Sequence, residues 1–376
     1  MERVAIFGGT FSPVHKEHIA VAKQAVKELN LDRLIVMPTF LPPHKSAPTE
    51  SGQDRINMLK LAFLGEDKIE VSDFELQKKG TSYTYQTVEY FKSLIDGKLY
   101  FIVGGDMLEN FKHWKYPERI LSACTLACFG REHSDVDFEK EREYFVKTWQ
   151  KDFVKLSYVG KNMSSTKIRV YNRFGLDITD MTDQKVCEYI KANNLYQGDE
   201  YSEFVKKSLT MKRLIHTAEV VLCALKKVKE LGLDEQKVLT AATLHDCAKY
   251  IDYKTVDGFI KDDDLPEPVI HAFLGAFIAQ NILKINDQDI INAIRYHTSG
   301  RVGMSVLEKL IFVADMLEDG RTYEGVDALR QFYQGDLDVC FRECLKEEMI
   351  HLINKKQYIY RLTLDAFDYY VTKGEK

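Results

Sequence analysis

Residues 1–20 read MERVAIFGGTFSPVHKEHIA, a short apolar run that meets two glycines and then two histidines three residues apart. Val4 to Phe7, bounded by Gly8 and Gly9, predicts a buried strand ending in a tight turn. From Glu17 onward, Ile19, Ala22, Ala25, Val26 and Leu29 fall at helical spacing. Strand, glycine turn and helix in immediate succession open an α/β nucleotide-binding unit. Neither common phosphate fingerprint is present, because GxGxxG does not fit GGTFSP and no GK[ST] closes the loop. His15 and His18 are then the groups that can replace the missing lysine. Three residues apart at the mouth of a helix, they project from one face beside unpaired backbone N–H groups, where an anion is favoured. The same spacing also suits a helix-capping His15 followed by a packed His18.

Outward from this stretch, strand-like runs recur at LDRLIVMP, IEVSDFEL, LYFIVGG, TLACFG and VKLSYV, separated by segments that can be helical, such as Arg55 to Phe63 and Tyr83 to Leu94. The alternation predicts a Rossmann-like, mostly parallel sheet covered on both faces. Strand signals stop after Val159. Beyond about Gly198, long amphipathic runs such as LIHTAEVVLCALKKVKEL and VLEKLIFVADMLE predict an all-α second domain. The expected boundary lies in NNLYQGDEYSE, dividing the chain into 1–198 and 199–376. KDDDLPEP is expected to be a solvated loop between two helices.

Length and composition agree with this division. A chain of 376 residues exceeds one ordinary core, and its apolar content of 45% suffices for two. Residues 1–200 carry 28 basic and 29 acidic side chains of the total 52 and 57, leaving 24 and 28. Neither half has the basic excess of a nucleic-acid binder, so small ligands are expected. No apolar stretch approaches a membrane span, and the N-terminus reads as a strand and not as a signal peptide, so a cytoplasmic protein is expected. The seven cysteines include no CxxC and are expected to be reduced and mostly buried.

Four further stretches accompany the opening motif. LPPHKSAP presents His44 and Lys45 on a proline-stiffened loop, as donors for a phosphate. GTSYTYQT starts a helix with hydroxyls. FIVGGDMLENFKHW repeats strand, glycines and carboxylate. It puts Asp106 at a strand's C-terminal edge, where it can hold ribose hydroxyls, and Trp114 where it can stack on an aromatic ring. NMSSTKIR offers Ser164, Ser165 and Thr166 at a helix start with Arg169 one turn on, a second anion site.

With these five ordered motifs, residues 1 to about 197, including the closing VCEYIKANNLY, resemble the bacterial nicotinate mononucleotide adenylyltransferases of the HxGH nucleotidyltransferase superfamily. The resemblance implies transfer of AMP from ATP to nicotinate mononucleotide, with release of pyrophosphate and with Mg²⁺ carried by ATP. It implies catalytic roles for His15, His18, Ser165 and Arg169 at the ATP phosphates. ATP would further be bound by Gly8, Gly9, Thr10, Phe11, Gly104, Asp106, Ser164 and Thr166. His44, Lys45, Ser82, Tyr83, Thr84 and Trp114 would hold the pyridine nucleotide. The first family motif usually reads GGTFDPxHxGH, whereas here Ser12 stands for the Asp and Glu17 for the Gly. Glu17 is expected to point to solvent from the helix's first turn. Loss of activity in a retained fold, and use of the amide mononucleotide, are the alternatives for this domain.

The helical half carries histidines in IHTAE, LHDCAK, VIHAFLGA and RYHTSGR, followed by a carboxylate in FVADMLED. Any one of these histidines suits an ordinary packed position. The adjacent pair His245-Asp246 discriminates, because such a pair can clasp one metal or span two when other helices supply ligands. His216, His245, Asp246, His271, His297 and Asp315 form a set without thiolate, suited to iron, manganese or zinc. The order H…HD…H…H…D resembles the two-metal HD-domain phosphohydrolases. Residues 205 to 370 resemble more narrowly their symmetrical bis(5′-nucleosyl)-tetraphosphatases. This implies hydrolysis of diadenosine tetraphosphate to two ADP at two metal ions, iron foremost, with Lys249 reaching a phosphate. Arg301 and Arg321 either assist or are simply solvated. A domain that hydrolyses another nucleotide, or that senses nucleotides without turnover, is the alternative.

Overall fold

The computed structural model describes residues 1–41, 48–132, 136–161 and 163–374. Its chain divides into two compact units, Met1–Arg169 with Asp177–Tyr196, and Val170–Leu176 with Gln197–Lys376. A single cut at residue 198 does not describe this exchange, because Val170, Phe174 and Leu176 are core residues of the second unit.

The first unit is built on six strands: β1 (Glu2–Gly9), β2 (Arg33–Pro38), β3 (Ile69–Val71), β4 (Gly97–Gly104), β5 (Thr125–Arg131) and β6 (Val154–Gly160). Their order is β3-β2-β1-β4-β5-β6, every pairing parallel. Val4, Ile6, Phe101 and Val103 pack on one face while Ala5, Val36 and Ile102 are buried on the other. Burial on both faces is why the strands read as continuous apolar runs. The chain reverses direction across the sheet between β1 and β4, which is where open α/β sheets form their ligand crevice.

Two local expectations are corrected. β1 does not turn at its glycines, since Gly8 and Gly9 stay in register with Met37 and Pro38 of β2, and residues 10–13 make the turn. IEVSDFEL is only half a strand: β3 ends at Val71, and Phe74–Lys78 is a helix whose Phe74 stacks on Tyr90 at 4.3 Å. An aromatic anchor on the neighbouring helix Thr84–Leu94 outweighs the alternating pattern there.

Among the described residues the second unit contains helices and no strand. Helices Met211–Leu225, Glu235–Leu244, Glu267–Phe277, Gln288–Tyr296, Val306–Leu317 and Leu337–Asn354 surround one apolar cluster. Phe312 and Phe341 meet within it edge to face at 5.2 Å. The run LIHTAEVVLCALKKVKEL leaves the helix at Leu225 and continues in turns. The seven cysteines are free thiols, six of them buried. No described helix is long and apolar enough to cross a membrane.

Candidate functional site

In the first unit, the turn after β1 is held by side chains that take its carbonyls. Arg55 donates to Thr10 O at 3.0 Å, Arg169 to Ser12 O at 2.7 Å, Ser165 to Pro13 O at 2.8 Å and Thr182 to Val14 O at 2.7 Å. A buried loop has no strand partner, and each carbonyl left unpaired would cost about 1–3 kcal/mol. Phe11 sits in the left-handed region (φ 48°), its ring edge-on to Phe7 and His18. A Cβ at Gly9 would lie 3.0 Å from that ring, so the strand end needs glycine.

His15 caps the helix Lys16–Glu28, and His18 completes the box. His15 Nδ1 accepts from His18 N at 3.3 Å, His18 Nδ1 accepts from His15 N at 3.2 Å, and the rings stack at 3.5 Å. Because both Nδ1 atoms accept, each ring carries a proton on Nε2. Burial, aided by Arg131, lowers the His15 pKa to about 4, so its imidazole is neutral at pH 7. The capping and anion-binding readings are therefore compatible. The cap fixes the donors.

Ser164 Oγ accepts from Lys167 N at 3.2 Å, and Thr166 Oγ1 accepts from Arg169 at 3.1 Å. Gly104 ends β4, and Asp106 follows it, half exposed, 3.9 Å from Arg131. Ser82 accepts from Phe40 N at 3.1 Å, Tyr83 precedes the helix begun by Thr84, and Lys115 lies over the Tyr83 ring at 4.2 Å. Trp114 is packed on Phe111 and Phe101. His44 and Lys45 lie outside the described residues. Glu17 does not point to solvent: it accepts from Tyr158 Oη at 2.7 Å and from Lys161 N at 2.8 Å. Its carboxylate is committed to the end of β6 because two donors meet it there.

In the second unit, Asp246 is the centre. His216 Nε2 and His245 Nε2 stand 3.8 and 3.5 Å from its Oδ2, and His271 Nε2 and His297 Nε2 stand 3.1 and 3.6 Å from its Oδ1. Asp315 adds an oxygen 3.0 Å from His216 Nε2. The helix Glu235–Leu244 stops at His245, so the His-Asp pair lies at a helix end and not within it. His245 and His297 each direct Nδ1 to the carbonyl three residues back, Ala242 O and Ile294 O, at 2.7 Å. A carbonyl only accepts, so Nδ1 bears the proton and Nε2 turns its lone pair toward Asp246.

Lone pairs facing a carboxylate repel unless a cation lies between them, and Asp246 Oδ1 is a buried oxygen without a hydrogen bond. Two groups therefore fit a metal ion, His216-His245-Asp246 and Asp246-His271-His297. Burial lowers His245, and lowers His271 to about 4, keeping both neutral as ligands must be. His216 is raised: burial opposes this, and its bonds to Asp315 and Glu318 prevail.

Lys249 Nζ lies 3.2 Å from His271 Nε2. Arg321 holds Asp315 at 2.5 Å, whereas Arg301 is paired to buried Glu308. Sequence reasoning missed Glu318, buried and 3.1 Å from His216 Nδ1, and Arg213, 2.7 Å from Asp246 Oδ2. Only their nearness in sequence to Asp315 and His216 could have pointed to them.

The cytidylyltransferase-like family model matches residues 6–170 and the HD domain model residues 213–320. A Mycoplasma genitalium protein named "Probable nicotinate-nucleotide adenylyltransferase/Ap4A hydrolase" is 28% identical over 332 residues, 86% of this chain and 89% of its own. A Clostridium tetani protein named "Probable nicotinate-nucleotide adenylyltransferase" is 38% identical over 204 residues, 52% of this chain and 100% of its own. A solved Clostridium acetobutylicum structure, described as a predicted HD superfamily hydrolase involved in NAD metabolism, covers 46% of this chain and 97% of its own at 30% identity and TM-score 0.44.

Proposed function

The chain belongs to the nicotinate-nucleotide adenylyltransferase family and carries an HD domain behind that part, and from this premise we propose a bifunctional enzyme with one activity in each unit. The first unit transfers AMP from ATP to nicotinate mononucleotide. An oxygen of the mononucleotide's phosphate bonds to the α-phosphorus of ATP, the bond to the bridging oxygen breaks, and pyrophosphate leaves with the electron pair. The observation that carries this reading is the stacked His15-His18 pair, two fixed N–H donors at a helix N-terminus on the C-terminal edge of β1. Donors already in place stabilise the charge that grows on the leaving group without reorganising. Arg169, anchored on the same turn, extends the donor set with its remaining N–H groups, Ser165 secures that turn by donating its hydroxyl to Pro13 O, and Mg²⁺ enters with ATP.

The second unit hydrolyses diadenosine tetraphosphate to two ADP. Water bonds to a central phosphorus, the central P–O–P bridge breaks, and one ADP leaves. His216, His245, Asp246 and Asp315 would hold one ion and Asp246, His271 and His297 a second, iron foremost with manganese or zinc as substitutes. Bound there, the ions would supply a water of lowered pKa. Lys249 neutralises phosphate charge, and Asp246 offers one oxygen to each side. The substrates place the enzyme in the cytosol.

A two-part assay tests the proposal: ATP and Mg²⁺ with the acid or amide mononucleotide, then diadenosine tetraphosphate with Fe²⁺ or Mn²⁺. Asp246→Ala is expected to lose the second activity and bound metal while keeping the first. A metal-replete, fully active variant would refute the two-ion site.

A further inference from the structure

Ser12 stands where the usual first motif has a carboxylate, yet two guanidinium groups close on its turn. Arg55 donates to Thr10 O at 3.0 Å and to Thr39 O at 2.6 Å, and Arg169 donates to Ser12 O at 2.7 Å. Arg55 is 3% exposed, and a cation buried to that degree needs a counter-charge. Glu50, also buried, brings its Oε1 to 3.8 Å from Arg55 Nε. Tyr196 interacts through its hydroxyl with both Glu50 and Ser12. Burial and the Glu50 charge push the Tyr196 phenol up, so it keeps its proton and can donate a hydrogen bond to the carboxylate while accepting one from the Ser12 hydroxyl.

Two helices bring these groups together. Tyr189, on the helix Gln184–Ala192, donates to Asp54 Oδ1 at 2.9 Å and accepts from Asn57 Nδ2 at 2.9 Å, both on the helix Gly52–Ala62. Glu50 precedes Ser51, the cap of the latter helix, and Tyr196 follows the former with its backbone in the left-handed region (φ 55°). Given the adenylyltransferase reading of the first unit, on which this rests, we propose that Glu50 supplies the carboxylate that position 12 lacks. It acts through Tyr196 and Arg55 as a positioning residue of the turn that leads to His15. Ser12 then reflects the relocation of a charge and not an inactive scaffold. The turn accommodates one carboxylate. A second, placed at position 12, would face the first across a single phenol, and like charges in a buried site repel.

The test is a double-mutant cycle in the full chain, with Glu50→Gln, Ser12→Asp and the two combined. Each single variant is expected to lower kcat for adenylyl transfer about tenfold while the KM for ATP changes less than about threefold, because the turn acts on charge that develops as pyrophosphate leaves. The combined variant, which returns one carboxylate to the turn, should recover kcat to within about threefold of wild type. Urea unfolding of the first unit should follow the same order, with a lower midpoint in each single variant and recovery in the combined one. Hydrolysis of diadenosine tetraphosphate checks that the second unit is intact in every variant.

A Glu50→Gln protein with the kcat of the wild type, or a combined variant no better than the weaker single one, would overturn the assignment. If Glu50→Gln alone does not accumulate as folded protein, restoration of folding and transfer by the added Ser12→Asp would sustain it, and continued failure would overturn it. A wild type without adenylyl transfer would refute the reading of the first unit, and the order of the urea midpoints would then decide alone whether Glu50 replaces the missing carboxylate.

Discussion

His15 caps the helix through Nδ1, which leaves Nε2 for the phosphate role proposed above, and its burial makes stability depend on pH. Its pKa is about 4 folded against 6.5 unfolded, so the unfolded chain binds more protons between those values. The stabilising contribution is complete above pH 6.5 and is lost as pH falls toward 4, at roughly 1.4 kcal/mol per unit. Asn keeps a capping acceptor and does not titrate. His15→Asn should therefore lose about 2 kcal/mol less than the wild type between pH 6.5 and 5, read from urea unfolding of the first unit. Glu318 is a second case of action through a neighbour. Its carboxylate takes the outer nitrogen of His216 and fixes which nitrogen faces Asp246. Glu318→Gln should weaken metal binding about 10–100-fold in a metal titration, with the ligand set itself unaltered.

At the scale of elements, the turn after β1 is shaped from outside. Four of its carbonyls are satisfied by Arg55, Ser165, Arg169 and Thr182, which arrive from three other segments. Glu17 adds a tie from the first helix to the end of β6, through Tyr158 and Lys161, just before Ser164 and Ser165. One of the two residues that depart from the family motif thus braces the segment that leads to Ser164 and Ser165. Glu17→Ala should cost about 1–3 kcal/mol in thermal unfolding, since hydrogen bonds to a charged group are lost. It should also raise the KM for ATP several-fold while leaving tetraphosphate hydrolysis unchanged. An unchanged KM would show that the brace stabilises without positioning.

For the whole molecule, the exchange of Val170–Leu176 between units decides how the chain can be cut. A fragment of residues 199–376 lacks Val170, Phe174 and Leu176, which pack with Val205, Leu209 and Leu214 in the second core. Losing buried side chains of this size costs several kcal/mol. Residues 165–376 should therefore fold and hydrolyse diadenosine tetraphosphate, whereas 199–376 should unfold at lower urea or be insoluble. Equal stability of the two fragments would show that the second core closes without the segment.

The sequence by itself determined the class of each unit, since buried parallel strands and amphipathic helices leave different apolar periods. It also marked the histidines and Asp246, because titratable residues in apolar helices stand out from their surroundings. The orientation of those groups was decided only by tertiary structure. Nothing in the order of residues says that Ala242 O and Ile294 O turn two imidazoles inward, that Glu318 sits behind His216, or that Glu17 meets Tyr158. The boundary followed the same logic. A hydropathy pattern records that Val170, Phe174 and Leu176 must be buried, but not in which core, because apolar burial has no direction until the rest of the chain has packed.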